Sequence, residues 1–185
     1  MDKNNRILVM DDDEDVLATF RYFLGANEPV SEAVSAIDAL LGAAPVDSSK
    51  QLQLADFDVT TADQGQLGVE LATKAVAEEL PFALAFIDMR MPPGWNGLTT
   101  AKKLREVDPD IYIVFVTAFA DHSAADIYHE LNHNVLLLKK PFNQEEIALM
   151  ASTLCGSWNT NNERRRSELR LHHALQQFMA SKNTD

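Results

Sequence analysis

The chain has 185 residues, a formal net charge of -12 at pH 7 and a single cysteine. That charge excludes a general nucleic-acid binder and a protein held on an anionic membrane surface, because neutralising phosphates needs clustered Lys and Arg and the only compact basic run is Arg164-Arg165-Arg166. The lone Cys155 rules out an intrachain disulfide framework, no apolar run is long enough to span a bilayer, and the polar start lacks a signal-peptide core, so we expect a soluble, cytoplasmic protein with one full core and a small extension.

Ile7 to Met10 is an apolar strand that stops at Asp11-Asp12-Asp13-Glu14-Asp15, after which Val16, Leu17, Phe20, Phe23 and Leu24 recur at helical spacing up to Gly25. The acids have two readings: they form a site, or they serve the helix N-terminus, where the macrodipole favours negative charge. Residues 26–54 show weak patterning, with a short helix at Ala33 to Leu41 and a loop around Pro45. A link of this length far exceeds the usual connection of about 2–6 residues, so it reads as an insertion.

Asp56 to Ala62 alternates as a half-exposed edge strand. Gly68 to Leu80 predicts a helix with Val69, Ala72, Val76 and Leu80 inward, ended by Pro81. Phe82 to Ile87 is a buried strand that ends on Asp88, and Pro92, Pro93 and Gly94 then enforce a loop. Leu98, Ala101, Leu104 and Val107 mark another helix. Ile111 to Val116 is a strand covered on both faces, ending at Thr117. Ser123 to His133 is a short helix, Val135 to Leu138 a last buried strand before Lys139-Lys140-Pro141, and Gln144 to Trp158 a closing helix with Ile147, Ala151, Leu154 and Trp158 inward.

This alternation specifies an α/β fold: a doubly wound, five-stranded parallel sheet with helices on both faces. The strands end in polar residues that converge on one edge: Asp11 and Asp12, Asp88, Thr117 and Lys140. Gathered carboxylates either rise in pKa or hold a cation, and oxygen-only donors on a loop favour Mg²⁺. A Lys and a Thr hydroxyl beside them suit the oxygens of a transferring phosphoryl group. No Gly-rich phosphate loop is present, which leaves a carboxylate nucleophile as the economical mechanism.

Taken together, Asp11-Asp12, Asp88 with Met91-Pro92 and Gly97, Thr117-Ala118 and Lys140-Pro141-Phe142 resemble the receiver domain of two-component response regulators, over about residues 5–158. The resemblance implies a sheet of order 2-1-3-4-5, Asp88 as phosphoacceptor, and Mg²⁺ held by Asp12, Asp88 and the Arg90 backbone carbonyl with Asp11 assisting through water. It also implies Lys140 pairing with the phosphoryl group, Thr117 as the switch hydroxyl, a cis Lys140-Pro141 bond, and a histidine kinase or phosphotransfer protein as donor. By the same resemblance phosphorylation shifts the face of the fourth helix, fifth strand and fifth helix, in a module that is not itself a conventional enzyme. Three features depart from the common pattern: the 26–54 insertion, a longer loop from Met91 to Gly97, and Leu137 where an aromatic is common; the positions that tune dephosphorylation in the family are held here by Arg90 and Phe119.

Two rivals remain. His129-Glu130-Leu131-Asn132-His133 matches a zinc-peptidase motif, although Leu136 stands where the longer pattern needs Gly. Asp11-Asp12-Asp13 also fits a haloacid-dehalogenase-like phosphohydrolase, whose further acidic pair would have to be Glu145-Glu146. After Trp158, Asn159 to Asn162 interrupts the pattern and Glu163 to Ala180 is helix-prone, with Leu171, Leu175 and Phe178 spaced as in a coiled coil. The extension, residues 159–185, is either a separate helix capped by Asn162 or one continuous stalk, and its stripe suggests a homodimer. The domain stands alone or belongs to a larger regulator such as a diguanylate cyclase, a phosphodiesterase or a hybrid kinase.

Overall fold

The computed structural model describes residues 3–25, 56–118 and 124–182. Their elements run β1 (Arg6–Met10), α1 (Glu14–Leu24), β2 (Asp58–Ala62), α2 (Gly65–Ala77), β3 (Leu84–Asp88), α3 (Gly97–Val107), β4 (Tyr112–Thr117), α4 (Ala124–Leu131), β5 (Val135–Lys139) and α5 (Gln144–Lys182). All neighbouring strands pair in parallel, in the order β2-β1-β3-β4-β5. The insertion, residues 26–54, lies outside the described residues.

The two-residue period of a strand sorts the central side chains into two cores. Ile7, Val9, Leu84, Phe86 and Val114 pack on one face with Leu17 and Phe20 of α1 and Ile147, Leu154 and Trp158 of α5. Leu8, Met10, Ala85, Ile87, Ile113 and Phe115 pack on the other with Ala72 of α2, Leu104 of α3 and Ile127 of α4. Every residue of β3 is buried, as expected for a strand shielded on both faces.

Two local expectations are corrected, and one open alternative is decided. Helix α2 spans Gly65–Ala77 and buries Gly65, Gly68, Ala72 and Ala75, leaving Val76 and Leu80 37% and 56% exposed. Its small residues turn inward, Gly68 against Met10 of the sheet and Gly65 against Thr100 of α3, approaches that larger side chains would prevent. Strand β5 is an edge strand: Leu138 is buried, but Leu136 is 37% exposed because only β4 flanks it. Finally, of the two readings of the extension the continuous one holds: Asn159 to Asn162 does not break the last helix, and α5 runs unbroken for 39 residues.

Two of those asparagines find partners on the body, although Asn159 Nδ2 also donates to the helical carbonyl of Cys155 at 2.8 Å. Asn4 N donates to Asn159 Oδ1 at 2.8 Å, and Asn159 Nδ2 donates to Asn4 O at 2.9 Å. Asn161 Nδ2 donates to the Tyr112 hydroxyl at 3.0 Å, and Arg165 pairs with Asp110. At the other end, Asn143 and Glu146 start the helix with reciprocal bonds of 2.9 and 3.0 Å between side chains and backbone amides.

Two glycines give opposite expectations. A Cβ on Gly97 would overlap the Asp88 carbonyl oxygen and stand 2.9 Å from Met89 Cα, backbone that cannot yield without moving Asp88. Gly156 has nothing within 4 Å of its would-be Cβ. Chemical denaturation should show Gly97→Ala destabilised by about 1–3 kcal/mol, whereas Gly156→Ala, inside an exposed helix, should gain about 0.5–1 kcal/mol. A neutral Gly97→Ala would contradict this packing.

Candidate functional site

The register of the sheet assembles the site. Asp11 directly follows β1, Asp88 and Thr117 are the last residues of β3 and β4, and Lys140 directly follows β5. Because β1, β3, β4 and β5 are consecutive and parallel, all four meet at one edge. The strand ends are stitched there: Asp11 N donates to Ala62 O at 3.2 Å, Met89 N to Val116 O at 3.1 Å and Lys140 N to Thr117 O at 2.9 Å.

Lys140 Nζ lies 2.8 Å from both Asp11 Oδ2 and Asp88 Oδ1, donating to each. Asp11 is 2% exposed and Asp88 7%. The other oxygen of each carboxylate meets backbone: Asp11 Oδ1 accepts from Asp13 N at 3.0 Å and Asp88 Oδ2 from Arg90 N at 2.6 Å. Burial pushes the Asp11 carboxyl above its ordinary value, and the Lys140 hydrogen bond and the Asp13 amide only partly oppose this. Burial also disfavours the Lys140 ammonium, but its bonds to Asp11 and Asp88 and their charges outweigh that, so its pKa is raised.

Asp12 is exposed, Thr117 is half-buried and Arg90 is exposed. Among the described residues no three His, Cys, Asp or Glu side chains form a ready-made metal cluster. Two buried carboxylates against one ammonium still leave a net negative pocket of hard oxygen donors. That chemistry fits Mg²⁺, which binds through one or two carboxylates and keeps several waters.

The loop after Asp88 is supported by residues that the sequence did not single out. Gln64 Nε2 donates to Pro92 O at 3.2 Å, and Gly94 lies against the side chains of Gln64 and Gln66. Gly94 N donates to Met91 O at 3.0 Å, while Met89 and Met91 are buried beneath the loop. Asn96 caps α3 by accepting from Thr99 N at 2.8 Å; an Asn just ahead of a helical apolar pattern was the available signal, whereas Gln64 had none. Beyond Lys140 the peptide to Pro141 is cis, and Phe142 packs on Phe20, which packs on Phe86, with ring centroids 5.3 and 4.8 Å apart.

The rival motifs are not assembled. Helix α4 ends at Leu131, Asn132 has φ 61°, and His133 falls beyond the helix, so His129 and His133 do not share one helical face. Asp13 caps α1 by accepting from Asp15 N at 2.9 Å, and Glu146 is engaged at the start of α5. Leu137 is half-buried among the apolar residues under α4, and Phe119 lies outside the described residues.

The raised Asp11 pKa has a definite sign for stability. Below the ordinary value of 3.8 the group is protonated in folded and unfolded chains alike, and as pH rises towards its higher folded value the unfolded chain gives up its proton first. Ionised Asp11 therefore costs folding stability that a neutral side chain would not. In metal-free buffer, the stability of Asp11→Asn relative to wild type should grow as pH rises from below 3.8 and level off towards neutrality. Urea unfolding across that range measures it, and a gap that shrinks with pH would contradict the assignment.

A family model described as the response regulator receiver domain matches residues 47–152. The chain is 32% identical over 98 residues to the response regulator receiver protein CpdR of Brucella abortus, covering 53% of this chain and 76% of that protein. Among solved structures, the adenylate cyclase from Rhodopirellula baltica is similar with a TM-score of 0.62 at 22% identity, over 88% of this chain and 96% of that one. A CheY-like receiver domain protein from Methanospirillum hungatei is similar with a TM-score of 0.57 at 18% identity, over 85% and 98%. At such identities the structures speak for the fold; the family model and the Brucella relative, joined to the order 2-1-3-4-5 of the sheet, show that the chain belongs to the response regulator receiver domain family.

Proposed function

We propose that Asp88 is the phosphoacceptor of a two-component relay, and that Lys140 and Thr117 are the groups that answer its phosphorylation. The observation that supports this most is the single Lys140 ammonium placed 2.8 Å from both Asp11 and Asp88. The donor is a phosphohistidine of a histidine kinase or phosphotransfer protein, met in the cytoplasm; no described helix is long and apolar enough to cross a membrane.

In the transfer, an Asp88 carboxylate oxygen attacks the phosphorus, the P–N bond breaks, and the imidazole leaves with the electron pair. Asp11, Asp12, Asp88 and the Arg90 carbonyl would hold Mg²⁺, which when bound supplies positive charge to the phosphoryl oxygens. The chain's own contribution is orientation and charge. Arg90 N fixes one Asp88 oxygen at 2.6 Å, and the Lys140 ammonium leaves its carboxylate partner to follow the added charge. Phosphorylation replaces about one negative charge by about two and adds strong acceptors, which Lys140 and the Thr117 hydroxyl can meet.

The change would reach the face of α4, β5 and the first turns of α5. Thr117 O holds Lys140 N at 2.9 Å, so a movement of either strand end is felt by the other. Edge strand β5, with Leu136 exposed and Leu137 half-buried, has fewer packing constraints than β3 or β4 and is suited to shift between two arrangements.

Incubation with acetyl phosphate and Mg²⁺ should add one phosphoryl group by intact mass, labile to hydroxylamine as an acyl phosphate is. Asp88→Asn should abolish the adduct, and Lys140→Ala should slow its formation on the order of 10²-fold, as expected for loss of one preorganised donor. An adduct that persists in Asp88→Asn would rule out the assignment.

A further inference from the structure

The loop from Met89 to Asn96 joins β3 to α3, and its ends are fixed beside the site. Arg90 N donates to Asp88 Oδ2 at 2.6 Å, Gly97 N donates to Met89 O at 3.1 Å, and Met89 and Met91 are buried. Past Met91 the loop turns outward: Pro92, Pro93 and Gly94 are exposed and Trp95 is half-buried. A stretch with so little burial needs polar anchors to keep one conformation, and a loop longer than the receiver loops it resembles has more freedom to lose.

Those anchors come from the start of α2. Gln64 Nε2 donates to Pro92 O at 3.2 Å, and Gln66 Oε1 accepts from Trp95 N at 3.5 Å. Gly94 lies against both side chains, so that a Cβ there would stand 2.2 Å from Gln64 Oε1 and 2.7 Å from Gln66 Oε1. Gln64 does this at the expense of its own helix. It holds the N-cap position of α2, but its side chain makes no capping bond. Its Oε1 is buried with no partner among the described residues, an arrangement that destabilises. The side chain's hydrogen bond reaches across to the Asp88 loop instead.

We propose that Gln64 is a positioning residue for the chemistry at Asp88. It touches no reacting atom. It acts through the backbone of Arg90, two residues before Pro92, whose N–H orients Asp88 Oδ2 and whose carbonyl is a metal donor in the reading above. With Pro92 O held, the backbone between Asp88 and Pro92 keeps one course. Once it is released, the exposed turn relaxes and both Arg90 groups lose their aim. A displacement of about 1 Å in such a group can cost on the order of 10²-fold in rate, so even partial release is measurable. The inference rests on Asp88 being the phosphoacceptor, and its tests separate the two.

With acetyl phosphate and Mg²⁺, Gln64→Ala should be phosphorylated on the order of 10-fold more slowly than wild type. Gln64→Glu, which keeps the shape but turns an acceptor towards Pro92 O, should be no better, whereas Gln64→Lys, which restores a donor of similar reach, should recover most of the rate. Gly94→Ala should reproduce the defect with Gln64 intact, since its Cβ would displace only the flexible ends of the two glutamines. In metal-free, unphosphorylated protein, NMR should show the Arg90 amide proton shifted in Gln64→Ala and returned in Gln64→Lys, while the Asp13 amide on Asp11 Oδ1 stays in place. Wild type that accepts no phosphoryl group fails the Asp88 reading itself. A wild-type rate shared by Gln64→Ala or Gln64→Glu, a defect that Gln64→Lys leaves unrelieved, or an Arg90 amide indifferent to Gln64→Ala overturns the positioning role alone.

Discussion

One ammonium group shared by two buried carboxylates is the interaction on which the site depends. Lys140 reaches Asp11 and Asp88 from a different strand end from either, at equal distances of 2.8 Å. Removing Lys140 would leave two buried carboxylates uncompensated, so its ammonium constrains both strand ends strongly. The cluster also leaves an excess of negative charge, which suits a site that recruits a divalent cation and then a phosphoryl group. A pocket already neutral would have no such demand.

The rest of the fold serves this placement. Parallel pairing through β1, β3, β4 and β5 brings residues separated by 129 positions in the chain, Asp11 and Lys140, within hydrogen-bonding distance. Beneath them, Phe142, Phe20 and Phe86 form a packed column from the loop after β5 through α1 to β3. That column ties the Lys140 loop to the strand bearing Asp88 by apolar contact as well as by charge. At the opposite edge, Asp110, Tyr112 and Asn4 fasten α5 to the base of the sheet, so the strand that ends at Thr117 is attached at its start to the helix that leaves the domain.

Much of this was legible in the residues because strand and helix leave different periods. The strands at Ile7, Phe82 and Ile111 were readable as apolar runs with polar ends, and from their alternation with helices came the parallel sheet and the meeting of Asp11, Asp88, Thr117 and Lys140. What was not legible depended on tertiary partners. Helix α2 turns its glycines and alanines inward because Met10 and Thr100 need room, which no count of apolar residues along the helix reveals. Asn159 to Asn162 looked like a break because asparagine is a poor helix former, yet its side chains have partners on Asn4 and Tyr112 that outweigh the propensity. Gln64 and Gln66 support the Asp88 loop through contacts with no sequence signature. The match to the family begins at residue 47 and so leaves out β1 and its acids, which the sheet restores between β2 and β3.

The titration of the Lys140 side chain, followed by NMR of lysine Nζ and Cε in metal-free protein, tests the shared ammonium most directly. With both carboxylates in contact, Lys140 should titrate above the ordinary lysine value of 10.5, and Asp11→Asn should lower that midpoint by leaving burial less opposed. A Lys140 that titrates at or below 10.5 in the wild type, or one indifferent to Asp11→Asn, would contradict the account.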